Sequence, residues 1–156
     1  MEIGESAAKT MALQQRALQL SPSETGLYDY FKPPRSLDEE EFEFISRFAL
    51  NEDVDPRIGF AILVHGFEMD QSLKLDQAWR DIFARSSARL TGYGIYQQRL
   101  VRVLTQRGYV QEAANLLRVS AQRESNSELK GALFLDAGDL LLEDHPKDAA
   151  KSFYEA

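Results

Sequence analysis

The sequence lacks cysteine altogether, in a chain of 156 residues. Without cysteine the chain can form neither a disulfide nor a thiolate metal site, and it offers no thiol nucleophile. This absence fits a reducing compartment, so a cytoplasmic location is favoured. A periplasmic location stays open if the chain is part of a longer exported protein.

Basic residues are in the minority, with 18 Lys and Arg against 25 Asp and Glu and a formal net charge of -7. A phosphate backbone would be repelled by this charge, which argues against a general nucleic-acid binder. The same repulsion argues against anionic membrane surfaces. The composition therefore predicts no nucleic-acid partner.

Long apolar runs are also missing. The longest dense run covers residues 60–64, whereas a membrane-spanning helix needs about 20 residues. The first ten residues, MEIGESAAKT, carry acids where a signal peptide would carry Lys or Arg, and no apolar core follows them. We therefore predict no direct membrane insertion for this fragment.

Motifs that carry chemistry are absent from the sequence. It contains no phosphate-loop pattern, and "GYG" at Gly92–Gly94 lacks the third glycine of a dinucleotide fingerprint. His65 lies in an apolar stretch that favours a packed core histidine, and His145 precedes a proline in a predicted turn. We therefore predict no catalytic residue, no metal site and no cofactor, so the protein is not expected to be an enzyme.

Apolar residues recur at helical spacing almost throughout, and no alternation typical of strands is seen. The pattern predicts an all-α protein. The short connections marked by Gly or Pro indicate antiparallel neighbours, that is, a series of helical hairpins. Predicted helices cover residues 5–20, 36–50, 56–69, 74–90, 95–106, 110–123, 128–142 and 146–156.

Several short stretches have two interpretations. Ser36 and Glu39 form the pattern of a capping box, and the acids at Asp38–Glu41 fit either a helix start or a site for a cation or basic partner. The aromatic stretch at Gly26–Phe31 lies in a connector rich in breakers, where it either seals a core or docks a ligand. Trp79 either packs between hairpins or stacks on a ligand.

A repeat is visible when the second helix of each hairpin is aligned on its small residue. The spacings between these alanines are 35 and 36 residues. The alanines are Ala78, Ala113 and Ala149, each followed four residues later by Ile82, Leu117 or Phe153. The residues twelve positions upstream are Gly66, Val101 and Ala137.

This spacing has a physical reason. Two helices approach closely only where small residues meet at the crossing, and large residues one turn away fill the flanking grooves. A single hairpin cannot bury its apolar stripe, so copies stack and share a continuous core.

The pattern resembles the tetratricopeptide repeat family. The middle copy matches the family at Gly108, Ala113 and Leu117, and the last copy matches at Ala137, Ala149 and Phe153. The first copy matches at Gly66 and Ala78. The sequence departs from the family at Arg85, Val101, Ser120 and Asp144. The resemblance implies stacked antiparallel hairpins in a right-handed superhelix, an α-solenoid fragment.

The resemblance also implies a division of the chain. Residues 1–22 are interpreted as an N-terminal helix, the second half of a preceding repeat, because "RALQLSP" has the spacing of a repeat exit. Residues 23–55 hold the Pro/aromatic connector and the acidic-capped helix. Residues 56–156 hold about three hairpins, the last of them truncated, as in a piece excised from a longer array.

In the family, the first helix of each pair lines a concave groove. Matching positions here are Leu63, Phe67, Gln98, Arg102, Gln106 and Phe134, unless these residues only pack against neighbouring repeats. The basic clamp that some members use for a C-terminal carboxylate is absent. The resemblance therefore implies a non-catalytic scaffold that binds a peptide or partner helix. The alternative is a regulatory or ligand-binding helical domain of a larger enzyme or of a polysaccharide or envelope assembly system.

Overall fold

The computed structural model describes residues 2–31, 37–70 and 74–156. These residues form nine helices and no strand, so the all-α prediction is confirmed. The helices are α1 Glu2–Leu20, α2 Glu24–Tyr30, α3 Glu39–Leu50, α4 Pro56–Met69, α5 Gln77–Ser87, α6 Ile95–Gln106, α7 Val110–Arg123, α8 Ser127–Leu141 and α9 Pro146–Glu155.

Helix starts with strong local signals lie where the sequence predicts them. The Asp55 carboxylate accepts a hydrogen bond from the backbone N–H of Arg57 at 2.8 Å, and Pro56 occupies the first turn. Both α6 and α7 have the predicted bounds. Capping and turn chemistry act over three or four residues, so the sequence alone shows them.

Other boundaries differ from the prediction. The stretch expected to be irregular contains the short helix α2, which ends at Tyr30. The N-cap of α3 is Asp38, whose carboxylate accepts from the Glu41 N–H at 2.8 Å. The proposed cap Ser36 lies outside the described residues. Helix α5 starts at Gln77 rather than Lys74, because Asp76 caps it by accepting from the Trp79 N–H at 3.0 Å.

The chain divides into two compact units, Met1–Arg89 and Leu90–Ala156. The boundaries predicted near residues 22 and 55 both lie inside the first unit. Each unit has its own apolar core and is described by itself below.

Unit 1 is built around α4. Nine successive residues of this helix, 59–67, are buried, because α2, α3 and α5 all pack against it. A helix that is apolar on every side is stable only when neighbours surround it. Unit 1 is therefore a bundle with a central helix rather than a flat pair of hairpins.

The closest approach in unit 1 joins α3 and α4 at Gly59. A Cβ added to Gly59 would lie 2.5 Å from the carbonyl oxygen of Ala49 and 3.1 Å from its Cα. Gly66, a predicted crossing residue, is also buried; a Cβ there would lie 2.8 Å from Ile45 Cδ1 and 3.5 Å from Trp79 Cη2. Both glycines let the neighbouring helices pack against the backbone of α4.

Helix α5 closes the bundle with aromatic side chains. Trp79, only 3% exposed, stacks on Phe83 with ring centroids 5.4 Å apart. It also forms edge-to-face pairs with Phe67 and Phe42, whose ring centroids lie 5.2 Å and 4.9 Å from its own. Such offset and edge-to-face pairs stabilise a core beyond the area that they bury.

The carboxyl end of α3 is capped by a distant side chain. Arg89 donates through Nη1 to the Ala49 carbonyl at 2.7 Å and through Nη2 to the Asn51 carbonyl at 3.1 Å. These carbonyls lie at or just beyond the last turn of α3, where no further helical N–H can reach them. A single guanidinium therefore ties the end of unit 1 back to α3.

Unit 2 consists of α6 to α9, and each helix packs against the next along the chain. The α6–α7 turn contains Gly108 with φ of 87°, a conformation that favours glycine. Tyr109 N–H donates to the Leu104 carbonyl at 2.8 Å and ends α6. The buried core comprises Ala114, Leu117, Ala121, Leu133, Phe134, Ala137, Leu141 and Ala149.

The three aligned alanines do not share one environment. Ala113 and Ala149 are fully buried, as a close crossing requires. Ala78 is exposed, so its predicted place at a crossing is wrong. The adjacent Trp79 is the residue that α5 turns inward, because the aromatic cluster gains far more from burial than a methyl group does.

Candidate interaction surface

Three of the six predicted groove residues belong to the apolar cores. Leu63 and Phe67 are fully buried in α4, and Phe134 is 3% exposed in α8. A side chain that is enclosed by its own unit cannot touch a partner in a groove. For these three residues the prediction is wrong, and the alternative, packing against neighbouring helices, holds.

The other three predicted residues lie on the surface of α6. Gln98, Arg102 and Gln106 are all exposed, and their spacing of four residues places them along one line of the helix. The inner side of the same helix carries the buried Leu100 and Leu104. These three residues are therefore accessible on the outer face of α6, and their role in binding stays a prediction.

The start of α6 is held by Gln97, a buried amide. Its Nε2 donates to the Gly92 carbonyl at 2.6 Å, while its Oε1 accepts from the Gly94 N–H at 2.9 Å. The connector before α6 is thereby joined to the first helical turn. This clamp fixes where α6 begins.

On α8 the residue that Phe153 of α9 covers is Gly138, which follows the predicted crossing residue Ala137. A Cβ on Gly138 would overlap the ring of Phe153 in α9, so the ring lies directly on the glycine backbone. Phe153 is half-buried and packs against the core of unit 2. Ala137 is fully buried in the same core.

Adjacent residues of α8 face different sides of the helix. On α6, Gln98 lies three residues before Val101; the residue three before Ala137 is Phe134, and the next residue is Leu135. One residue rotates a position by about 100° around a helix, enough to exchange an inner face for an outer one. Leu135 is 48% exposed, and Phe134 is buried.

The outer face of α8 combines two leucines with acidic side chains. Leu135 and Leu142 are 48% and 55% exposed. Leu142 keeps helical dihedral angles at the C-cap, so it lies two turns beyond Leu135, a rise of about 10.5 Å. Asp136, Asp139 and Glu143 are exposed beside them.

One of these acids is close to the α6 side of unit 2. Burial of the half-exposed Tyr93 raises the pKa of its phenol to about 12, and the nearby negative charge of Asp136 adds to the effect. Tyr93 packs against the core of unit 2 immediately before α6. Asp136 thus extends the outer face of α8 toward the start of α6.

The remaining side chains singled out in the sequence have structural positions. His65 is 5% exposed and stacks on Phe31 with ring centroids 6.1 Å apart. Trp79 belongs to the aromatic cluster of unit 1. Tyr30 is buried, so this part of the aromatic stretch seals the core. His145 is exposed at the N-cap of α9.

Two acidic residues at the start of α3 accept hydrogen bonds within unit 1. Asp38 caps the helix, and Glu41 is 5% exposed and accepts a hydrogen bond from the Tyr30 hydroxyl at 3.1 Å. Gln15 Nε2 in turn donates to that hydroxyl at 3.4 Å. These contacts support the interpretation of the acids as a helix start.

Two other kinds of site are absent from residues 2–31, 37–70 and 74–156. No three His, Asp or Glu side chains of these segments lie together as metal ligands would. No helix in this part of the chain combines the length and apolar character needed to cross a membrane.

In comparisons with known proteins, no family model, no curated protein and no solved structure matches the chain. The resemblance to tetratricopeptide repeats therefore stays a prediction. Whatever is inferred about function depends on the surfaces described above.

Proposed function

We propose that the chain is a non-catalytic protein-interaction module that binds a peptide or a partner helix on the outer faces of α6 and α8 in unit 2. The observation that carries the proposal is the pair of exposed leucines on α8, Leu135 and Leu142. They lie on one side of a helix whose other side forms the core of the unit.

A partner that covers Leu135 and Leu142 would remove apolar surface from water. Complete burial of an exposed leucine stabilises by about 1.5–3 kcal/mol, and each of these side chains has roughly half of that area still open to solvent. Single exposed leucines are ordinary on protein surfaces. Two of them at a two-turn spacing form an anchor for an apolar stripe on a partner.

The outer face of α6 supplies polar contacts. Gln98 and Gln106 each offer an amide donor and acceptor, and Arg102 offers a guanidinium. Amides of this kind can bond to the backbone of an extended segment or to polar side chains of a helix. The proposed surface is therefore apolar and acidic on α8 and polar on α6.

We propose a tetratricopeptide-like arrangement for unit 2 only. Its two hairpins, α6–α7 and α8–α9, have the buried alanines Ala113 and Ala149 and the glycine turn at Gly108 that the family's pattern asks for. In such an arrangement α6 and α8 would be the first helices of successive repeats and would line the concave side. The buried α4 of unit 1 does not support extending this groove to Leu63 and Phe67.

Peptide display against the 156-residue chain tests the proposal, with bound peptides mapped by a photoreactive residue placed at Leu135. The matched control places the same residue at Val119 on α7, which is 37% exposed. We expect crosslinking at position 135 but not at 119, and we expect Leu135→Ser to weaken the selected peptides. Peptides that crosslink only at 119, or no selected peptides at all, would contradict the proposal.

A further inference from the structure

We infer that the partner bound by the α8 face is a basic amphipathic helix. Its apolar stripe would cover Leu135 and Leu142, and its Lys or Arg side chains would lie beside Asp136, Asp139 and Glu143. This inference rests on the proposed function and specifies the chemistry of the partner.

The spacing of the leucines favours a helical partner. Leu135 and Leu142 are seven residues apart on a continuous helical path, about 10.5 Å along the axis. A second helix lying along α8 presents apolar residues at i and i+7 with the same rise, so both leucines are covered at once. An extended strand covers this distance in about three residues, with side chains alternating between its faces.

The charges around the leucines favour basic side chains. The exposed acids of α8 and of the turn after it are Glu128, Asp136, Asp139, Glu143 and Asp144. The one basic residue of α8 is Lys130, which is half-buried and lies before Leu135, near the start of the helix. Within the part of the chain that the structure describes, Asp136, Asp139 and Glu143 form no ion pair with Lys or Arg. Cations placed along this face would therefore meet carboxylates that are not already neutralised.

The end of α8 adds to the same preference. The last turn of the helix contains no basic side chain, so the negative end of its dipole is not offset locally. Leu142 and Glu143 lie at this end. A partner cation beside Glu143 would interact with the side chain and with the last carbonyl groups of the helix.

A second copy of the chain is a poorer occupant of this face. Two molecules that each carry a formal net charge of -7 repel each other at long range. A basic helix is attracted by the same charge. The net charge therefore favours a basic helix over a second copy of the chain as the occupant of this face.

The test uses synthetic helix-forming peptides of about five turns, roughly 18 residues. The probe peptide carries a leucine stripe flanked by Lys. One control peptide has Glu in place of Lys, and another keeps the composition but scatters the leucines around the helix. Binding to the full chain is followed by fluorescence anisotropy at low and at physiological ionic strength.

Two variants of the chain separate charge from apolar contact. The triple variant Asp136→Asn, Asp139→Asn, Glu143→Gln is expected to weaken the probe peptide about tenfold at low salt and less at higher salt. The double variant Leu135→Ser, Leu142→Ser is expected to weaken it about tenfold or more at both salt concentrations. Val119→Ser is the control, and circular dichroism checks that each variant folds.

Several results would overturn the inference. These are equal binding of the Glu peptide, binding of the probe that survives the leucine variants, or no binding of the probe. A concentration-dependent dimer removed by Leu135→Ser would identify a second copy as the occupant. Neutral or acidic displayed peptides that crosslink at position 135 would overturn the basic partner while leaving the proposed function intact.

Discussion

Helices α4 and α8 are each predicted to be the first helix of a hairpin, but they differ in how much of their surface is covered. In unit 1, α4 contacts α2, α3 and α5, and nine successive residues are buried. In unit 2, α8 packs between α7 and α9, and the buried residues form a stripe of Leu133, Phe134, Ala137, Gly138 and Leu141. With the third neighbour, residues 59–67 of α4 are covered on every side, while α8 keeps one face open.

A predicted repeat position therefore does not by itself determine exposure. The predicted groove residue Leu63 is fully buried, whereas Leu135, next to the predicted residue Phe134, is exposed. The composition of the helices agrees with this outcome. The stretch "GFAILVHGF" of α4 has no polar side except His65, whereas α8 intersperses acids among its leucines.

The largest expected effect comes from truncating the central helix. Leu63→Ala should lower the free energy of unfolding of unit 1 by about 2–5 kcal/mol, because the fully buried side chain leaves a cavity. Trp79 is the only tryptophan in the chain, so its fluorescence in a urea titration follows unit 1. The matched change Leu135→Ala in unit 2 should cost no more than about 0.5 kcal/mol by circular dichroism. Similar values for the two would remove the difference between α4 and α8.

The next effect concerns the crossing of α3 and α4. Gly59→Ala should destabilise unit 1 by about 2–3 kcal/mol, since the new Cβ meets the backbone of Ala49, which cannot move aside as a side chain could. Higher helix propensity of alanine offsets about 1 kcal/mol of the clash and is included in this figure. The Trp79 unfolding midpoint measures the change. Gly92→Ala, where a Cβ meets nothing within 4 Å, serves as the control and should leave the midpoint of unit 2 unchanged.

Loss of the cap on α3 should destabilise unit 1 somewhat less than Gly59→Ala does. Arg89→Ala removes the donors to the Ala49 and Asn51 carbonyls and should cost unit 1 about 1–2 kcal/mol. Arg85→Ala, an exposed arginine in the last turn of α5, controls for loss of charge and should change little. If both variants shift the Trp79 transition equally, the loss of charge rather than the cap explains the effect.

In unit 2 the contact between Gly138 of α8 and Phe153 of α9 should tolerate an added methyl group better. Gly138→Ala should cost about 1 kcal/mol, because the obstructing group is the side chain of Phe153 at the edge of the core rather than a backbone. The double variant with Phe153→Ala should recover part of the loss, a non-additive pair in a double-mutant cycle. Circular dichroism records the change while the Trp79 midpoint stays constant. Additive effects would show that the ring does not lie on Gly138.

The smallest effect concerns alkaline pH. Burial and the charge of Asp136 raise the pKa of Tyr93 from 10.0 to about 12. Because the folded state prefers the neutral phenol, this stabilisation is complete below pH 10 and is lost as the pH rises from 10 to about 12. Tyr93→Phe should flatten this part of the stability profile of unit 2. An unaltered profile in the variant would exclude Tyr93 as its source.

Local features of the fold could be predicted because their causes are local. Asp55 with Pro56 marks the start of α4, and Gly108 marks the turn before α7, each through bonds within a few residues. Helix α2 was missed because the prolines at 33 and 34 suggested an irregular connector, although the helix ends before them at Tyr30. A breaker limits where a helix can end but does not exclude one upstream.

The candidate surface was predicted only in part. Gln98, Arg102 and Gln106 lie on the outer face of α6, since amphipathic spacing alone separates them from Leu100 and Leu104. On α8 the adjacent small residues Ala137 and Gly138 are both buried, and Phe153 of α9 lies against Gly138. Whether residue 134 or residue 135 reaches solvent depends on how α8 packs against α7 and α9, which residue type alone does not show.

Helical class, most helix bounds and the excess of negative charge follow from residue type and spacing, because hydrogen bonding, capping and charge act along the chain itself. Burial of α4 from every side, the inward turn of Trp79 instead of Ala78, and the outward position of Leu135 emerged only once the helices were packed together. A helix has the same backbone whichever face its neighbours cover, so the contacts between helices decide which side chains a partner can meet.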